Sequence, residues 1–337
     1  MYAVAIREPG GPEVLEWTEH PDPEPDTGEV VVDVVAAGVN RADVMQRQGN
    51  YPPPAGASEV PGLECSGRIS ALGSGVSGWN VGDEVCALLA GGGYAEKVAV
   101  PAPQLLPVPA GISLTDAGGL PEVACTVWSN LVLTGHLRSG QTLLVHGGSG
   151  GIGTHAIQVG KAIGATVIAT AGHPDRLQTC LDLGADAAID YHDDLPSEVA
   201  RVTSDRGADV ILDNIGASNL QPNLASLATG GRLVIIGLQS GAKTEINLAT
   251  LLTRRLSVGA TTLRARPTGG SDGKGAIVAA VRSDLWPLVE AGRVRPIVHE
   301  RIPVTEVSRA HEAMDAGGVV GKLLLVVREE QDVHADD

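Results

Sequence analysis

Residues 145–165 read VHGGSGGIGTHAIQVGKAIGA, with five glycines inside seven positions. TLLVH at 142–146 runs into them as a strand, and 152–163 continues as a helix. Gly148, Gly150 and Gly153 meet the spacing G-x-G-x-x-G, a weak signal alone and a strong one between a strand and a helix. The first glycine permits a tight turn, the second lets the backbone approach a pyrophosphate, and the third lets the helix pack on the strand. Amides at the helix start then face the anion. Ser149, Gly151 and Ile152 complete the expected cradle. A turn holding nothing would not need five residues that each lose so much conformational freedom on folding.

The surroundings supply the βαβ context. TVIAT (166–170), AAID (187–190), VILDNIG (210–216), RLVIIGL (232–238) and SVGATTL (257–263) read as further strands, with a helix around 175–183. Strands alternating with helices specify a parallel, doubly wound sheet. Such a sheet is buried on both faces, and composition agrees: there is no Phe, aromatics make up 2%, and the core falls to Val, Ile, Leu and Ala. Residues 1–120 differ, with short strands such as VVVDVVAAGV (30–39) between Gly- and Pro-rich turns, the pattern of a barrel-like β unit. After 263 come a Gly-rich loop (267–275), a helix ending near Gly292, a capped helix over 304–317 and a strand GKLLLVV (321–327). That segment is too short for a third domain and is expected to complete the first. A tail from 328 to 337 is expected to fray.

The net charge of −16 disfavours nucleic acid and anionic membranes as partners. No apolar run approaches the length of a membrane span. Cys65, Cys86, Cys125 and Cys180 form no CxxC pair, so neither a disulfide framework nor a zinc cluster is expected, and a reduced cytoplasm fits. The N-terminus has no signal-peptide layout.

The second strand identifies the dinucleotide. An NAD site calls for an acid just beyond it to hold the ribose 2′-OH. Here TAGHPDR follows: small Ala171 and Gly172, then Arg176, leaving room and charge for a 2′-phosphate. The expected cofactor is NADPH. Asp175 could serve a ribose hydroxyl, or could cap or charge the helix start.

The β-rich first part with a central dinucleotide fold resembles the medium-chain dehydrogenase/reductase superfamily. NRADVMQRQGNYPPP (40–54), LLAGGGYAEKV, the glycine loop, TAG with Arg176, and the terminal GKLLLVV resemble its NADPH:quinone oxidoreductase branch, which includes zeta-crystallin. The likeness is greatest to the p53-inducible quinone oxidoreductase subgroup and runs over about residues 1–327. It implies an α/β subunit. A GroES-like, β-barrel-type catalytic domain would comprise 1–120 and 264–337, and a Rossmann doubly wound cofactor domain 121–263, with the active site in the cleft between them. It implies a homodimer or homotetramer joined through the edge strand of the cofactor sheet, which would cover an otherwise unpaired edge.

Zinc alcohol dehydrogenases of the superfamily carry Cys where this chain has Asn40 and His where it has Leu63. Leu cannot ligate a metal and an amide is a poor zinc ligand, so no zinc is expected. The resemblance then implies hydride transfer from NADPH to a quinone or similar conjugated carbonyl. Reduction of an enoyl-thioester or alkenal, or NADPH binding without useful turnover, are the alternatives. Asn40 and Tyr51 are candidates to hydrogen-bond the acceptor oxygen, although Asn40 could simply cap the following helix and Tyr51 could be a packing anchor. Asp43 more often charges a helix start than acts as a base. Arg264 would reach nicotinamide or substrate, or lie solvated. His146 reads as packed against the sheet. Implied cofactor contacts are Tyr191 beside Arg176, Asn214, Gly237, Leu238 and Gln239 at strand ends, and Thr126, Thr261, Thr262 and Lys322.

Overall fold

In the computed structural model the structure describes residues 1–330; part of the tail expected to fray, 331–337, lies outside them. The chain forms two compact units. The first comprises Met1–Cys125, Arg264–Glu290 and the described residues from Val298 onward; the second comprises Thr126–Leu263 and Ala291–Ile297.

The second unit is a six-stranded parallel sheet. Thr142–Val145 lies between Thr166–Ala171 and Ala208–Asp213. Ala187–Asp190 flanks one side, and Leu227–Ile235 and then Ser257–Ala260 extend the other. Strand order therefore reverses beside Thr142–Val145, the topological switch point at which doubly wound sheets bind ligands. Leu143, Leu144, Val145, Val167, Ile168 and Ala169 are fully buried, as a sheet covered on both faces requires. The last strand ends at Ala260, short of the expected 263. Ala291–Ile297 belongs here because the Gln158 amide brackets Arg295, donating to its carbonyl and accepting its N–H, both at 3.0 Å.

The first unit holds a seven-stranded, mostly antiparallel sheet around Glu29–Gly38, which pairs with Glu64–Leu72, Lys97–Pro101 and Lys322–Val326. The C-terminal strand thus completes this sheet, with Val298–Pro303 parallel to it at the edge. The expected helix ending near Gly292 is broken into Lys274–Ala280, a wide π turn Val281–Leu285, and Trp286–Glu290. Pro287 lacks the N–H that a regular helix would need there. All four cysteines are free and buried. Among the described residues no helix is long and apolar enough to cross a membrane.

One buried group makes the second unit acid-sensitive. His155, on the helix Gly151–Ile163, is fully buried with Nε2 unpaired, and burial pushes its pKa down to about 4 from 6.5. A folded-state pKa below the unfolded one means stability is present above about pH 6.5 and lost as pH falls toward 4. By about pH 5 the loss amounts to about 2 kcal/mol. His155→Leu is expected to abolish that share of the difference between urea unfolding near neutrality and near pH 5. An unchanged difference would exclude His155 as its source.

Candidate active and cofactor sites

In the second unit, strand Thr142–Val145 feeds the turn 146–150 and helix Gly151–Ile163 leaves it. The left-handed backbone, φ +64°, falls on Gly147, so the tight turn is made there and not at Gly148. Gly148 is small for packing: a Cβ would stand 2.7 Å from Cys180 Sγ and 2.8 Å from Ala169 Cβ. Gly153 permits close approach, since a Cβ there would lie 2.2 Å from the Gly147 carbonyl oxygen. Gly150 faces open space, with that same oxygen 3.5 Å from a built Cβ as its nearest neighbour. Asn214 stands beside Gly147, and its Oδ1 is buried without a partner. An open glycine at a helix N-terminus beside an unpaired buried acceptor fits a dinucleotide's pyrophosphate and sugar hydroxyls.

At the next strand end, the parallel register sets Asp190 against Ala171 and so brings Tyr191 to Gly172. A Cβ on Gly172 would fall 2.0 Å from the Tyr191 ring. The room expected for a phosphate at Gly172 is therefore taken by that ring, which is itself exposed and lies 4.3 Å from the His192 ring. Arg176 is half-buried on helix Pro174–Asp182. That helix is capped by His173, whose Nδ1 accepts the Asp175 N–H at 3.3 Å, while the Asp175 side chain is 92% exposed. Asp175 is thus not the cap, and charges the first turn instead.

The remaining expected contacts are dispersed over the strand ends. Gly237 must be small because a Cβ would meet the Asn214 carbonyl oxygen at 2.7 Å. Leu238 and Gln239 follow it, exposed. Thr261 donates to Asn130 Oδ1 at 2.6 Å, and Thr262 follows it, exposed. Thr126 is buried, and its carbonyl accepts the Asn130 amide at 2.8 Å.

The first unit carries a buried polar cluster. Lys322 Nζ donates to Val39 O at 3.1 Å and to Asn40 Oδ1 at 2.6 Å, and pairs with Glu64 Oε1 at 2.6 Å. Asn40 Nδ2 donates to Glu64 Oε1 at 3.0 Å and Gly38 O at 3.3 Å; the other Glu64 oxygen accepts the Glu122 N–H at 2.9 Å. The amide's orientation follows from charge: oxygen faces the ammonium and nitrogen the carboxylate. Both amide hydrogens are committed, so Asn40 is not placed to donate to an acceptor oxygen, as had been expected. Lys322, expected on the cofactor, has each of its three donors engaged inside the first unit. Asn40 is the N-cap of the helix Arg41–Arg47, in a capping box with Asp43, which accepts the Asn40 N–H at 2.9 Å. Asp43 also accepts Gly62 N–H at 3.1 Å and Tyr94 O–H at 3.0 Å, while burial pushes its pKa up to about 6.

Arg264 is 4% exposed, which rules out the solvated role. It donates to Ala90 O at 2.8 Å, Tyr51 O at 3.1 Å and Gln46 Oε1 at 2.6 Å, and its guanidinium lies 5.2 Å from the centre of the Tyr51 ring. Its geometry is that of a clamp on the half-buried Tyr51 loop.

Comparison with known proteins agrees with both units. Residues 151–270 match the family model described as "Zinc-binding dehydrogenase", and 26–110 the "Alcohol dehydrogenase GroES-like domain". A quinone oxidoreductase of Pseudomonas aeruginosa is 33% identical over 321 residues, covering 94% of this chain and 97% of that protein. The chain belongs to the quinone oxidoreductase family of medium-chain dehydrogenases/reductases. It is therefore an oxidoreductase, with a GroES-like domain and a Rossmann domain. Among solved structures, Escherichia coli quinone oxidoreductase complexed with NADPH superposes with a TM-score of 0.86 at 30% identity, covering 97% of this chain and 100% of that one. An NAD-dependent alcohol dehydrogenase matches with TM-score 0.86 at 33% identity, covering 97% and 100%.

The first family model's description implies zinc, and the oxidoreductase's donor set does not fit it. Among the described residues no group of three or more His, Cys, Asp or Glu could hold a metal. Leu63 is buried and offers no donor atom, Glu64 is bound to Lys322, and burial pushes the Cys65 thiol pKa far up, disfavouring the thiolate that zinc requires. Sequence reasoning missed Gly147, the clamp role of Arg264 and the Lys322–Glu64 pair. Only the doubled glycine at 147–148 carried a local signal.

Proposed function

We propose that this oxidoreductase reduces quinones, or similar conjugated carbonyls, with NADPH and without a metal. The observation that carries the reading is the open Gly150 turn beside the unpaired, buried Asn214 acceptor; the Asn40–Glu64–Lys322 cluster of the first unit offers no metal site. When bound, NADPH supplies the hydride. The helix start at Gly150 and Gly151 holds the pyrophosphate, Asn214 accepts from a sugar hydroxyl, and Arg176 holds the 2′-phosphate. Tyr51, steadied by Arg264, donates to the acceptor oxygen as negative charge develops there. A quinone suits such a site, because the anion it forms on reduction is stabilised and can take its proton from water.

The stretches at 40–54 and 88–98 and the closing GKLLLVV support placement near the p53-inducible subgroup. Exposed Val258 on edge strand Ser257–Ala260, with exposed Leu248 and Leu252 on Leu248–Arg254, supports a homodimer or homotetramer through that edge. Buried free thiols support a reducing compartment such as the cytoplasm. A CoA thioester would call for free cations, and the basic stretch 252–266 spends three of its four arginines internally: Arg254 on the carbonyls of Leu224 and Leu227, Arg264 on the Tyr51 clamp, and Arg266 on the Asp272 carbonyl.

Steady-state NADPH oxidation against benzoquinone, phenanthrenequinone and crotonyl-CoA tests the reading. Turnover is expected with the quinones. Turnover of the thioester alone would replace the proposed acceptor, and tight NADPH binding with no oxidation by any acceptor would leave a binding protein.

A further inference from the structure

Beneath the glycine turn lies a hydrogen-bonded chain that the hydride chemistry does not use. The Gly147 N–H donates to Thr170 Oγ1 at 3.3 Å. His146 Nδ1 lies 3.1 Å from that same oxygen, and His146 Nε2 lies 2.7 Å from Asn223 Oδ1. Thr170, His146 and Asn223 are all buried. The partners select the tautomer: Nε2 carries the proton for Asn223 Oδ1, and Nδ1 accepts from the Thr170 hydroxyl. The donors then run in one direction, from the Gly147 amide through the Thr170 hydroxyl and the imidazole to Asn223. Burial pushes the His146 pKa down, and Asp213, the charged group facing it, pulls the other way. The neutral ring is the form in which the Thr170 hydroxyl donates to Nδ1; protonation of Nδ1 would reverse that bond and turn the hydroxyl into an acceptor.

The backbone reinforces the same point. His146 N–H donates to Leu212 O at 3.1 Å, and Gly148 N–H to Thr170 O at 2.8 Å. Thr170 thus fastens two consecutive amides of the turn, one through its side chain and one through its carbonyl. Gly147 is the left-handed residue whose conformation decides where the next amides point. A residue that fixes Gly147 fixes the aim of the helix start.

We infer that Thr170 and His146 are positioning residues that preset the Gly147 turn for a pyrophosphate. The inference deepens the dinucleotide reading above and rests on it. Thr170→Val keeps the shape and removes the hydroxyl; Thr170→Ser restores it. Two readouts apply: amide exchange in the ligand-free protein, and NADPH affinity by calorimetry. Thr170→Val is expected to speed exchange at 146–150 while sparing the remaining length of helix Gly151–Ile163. It should weaken NADPH binding roughly tenfold, the scale of one lost buried hydrogen bond. Thr170→Ser should return both values to near wild type. Unchanged turn exchange or unchanged affinity in Thr170→Val would overturn the inference. So would faster exchange across the whole unit, or a Thr170→Ser variant no better than Thr170→Val. A wild-type protein that binds no NADPH would instead sink the dinucleotide reading, and this inference with it.

Discussion

Lys322→Met is expected to destabilise the first unit by about 3–5 kcal/mol, because it strands a buried carboxylate without its counter-ion. Glu64 is fully buried, Lys322 is 6% exposed, and the two meet at 2.6 Å. Their attraction in that environment does not by itself make the pair stabilising over an apolar pair; the damage comes from removing one partner alone. The double variant Lys322→Met with Glu64→Gln should therefore recover most of the loss. Asn40 adds a local consequence: freed from the ammonium, its amide loses the charge that orients it. Urea unfolding of the wild type and the two variants checks the prediction. A double variant as unstable as Lys322→Met would show that packing of the lysine stem, and not the charge, holds this region.

Arg176→Ala is expected to raise KM for NADPH far more than KM for NADH. The loss should correspond to about 1.5–3 kcal/mol, the worth of a charge-assisted hydrogen bond, or roughly 10- to 150-fold in affinity. Among the described residues the Arg176 side chain is in no ion pair, whereas nine of the other arginines are committed to nearby carboxylates. Discrimination that stays the same after the substitution would take Arg176 out of the phosphate site and turn attention to His173 and His192 beside it.

Legibility in the sequence followed the range of the interactions. The turn 146–150 and its flanking strand and helix are local, so spacing alone exposed them, and the parallel sheet followed from the alternation of short apolar runs with helical ones. What spacing missed was held by distant partners. Lys322 reads as the start of an ordinary terminal strand, and only the antiparallel pairing of that strand with Glu29–Gly38 carries it to Asn40 and Glu64. Arg264 reads as a cation after a strand, reaching nicotinamide or substrate or lying solvated, yet its acceptors come from residues 46, 51 and 90. Gly172 looks like space left for a ligand until the register with Ala187–Asp190 lays Tyr191 across it. The identity of Asn40 was legible, but its commitment to two charged neighbours was not, and that commitment changes its role from donor to fixed wall.

The central claim is metal-independent reduction of a quinone by NADPH. The most direct measurement is the rate of NADPH oxidation with phenanthrenequinone before and after exhaustive chelation. The account predicts turnover that chelation leaves unchanged and that added zinc does not raise. Activity lost on chelation and restored by zinc, or no oxidation with any quinone before treatment, would contradict it.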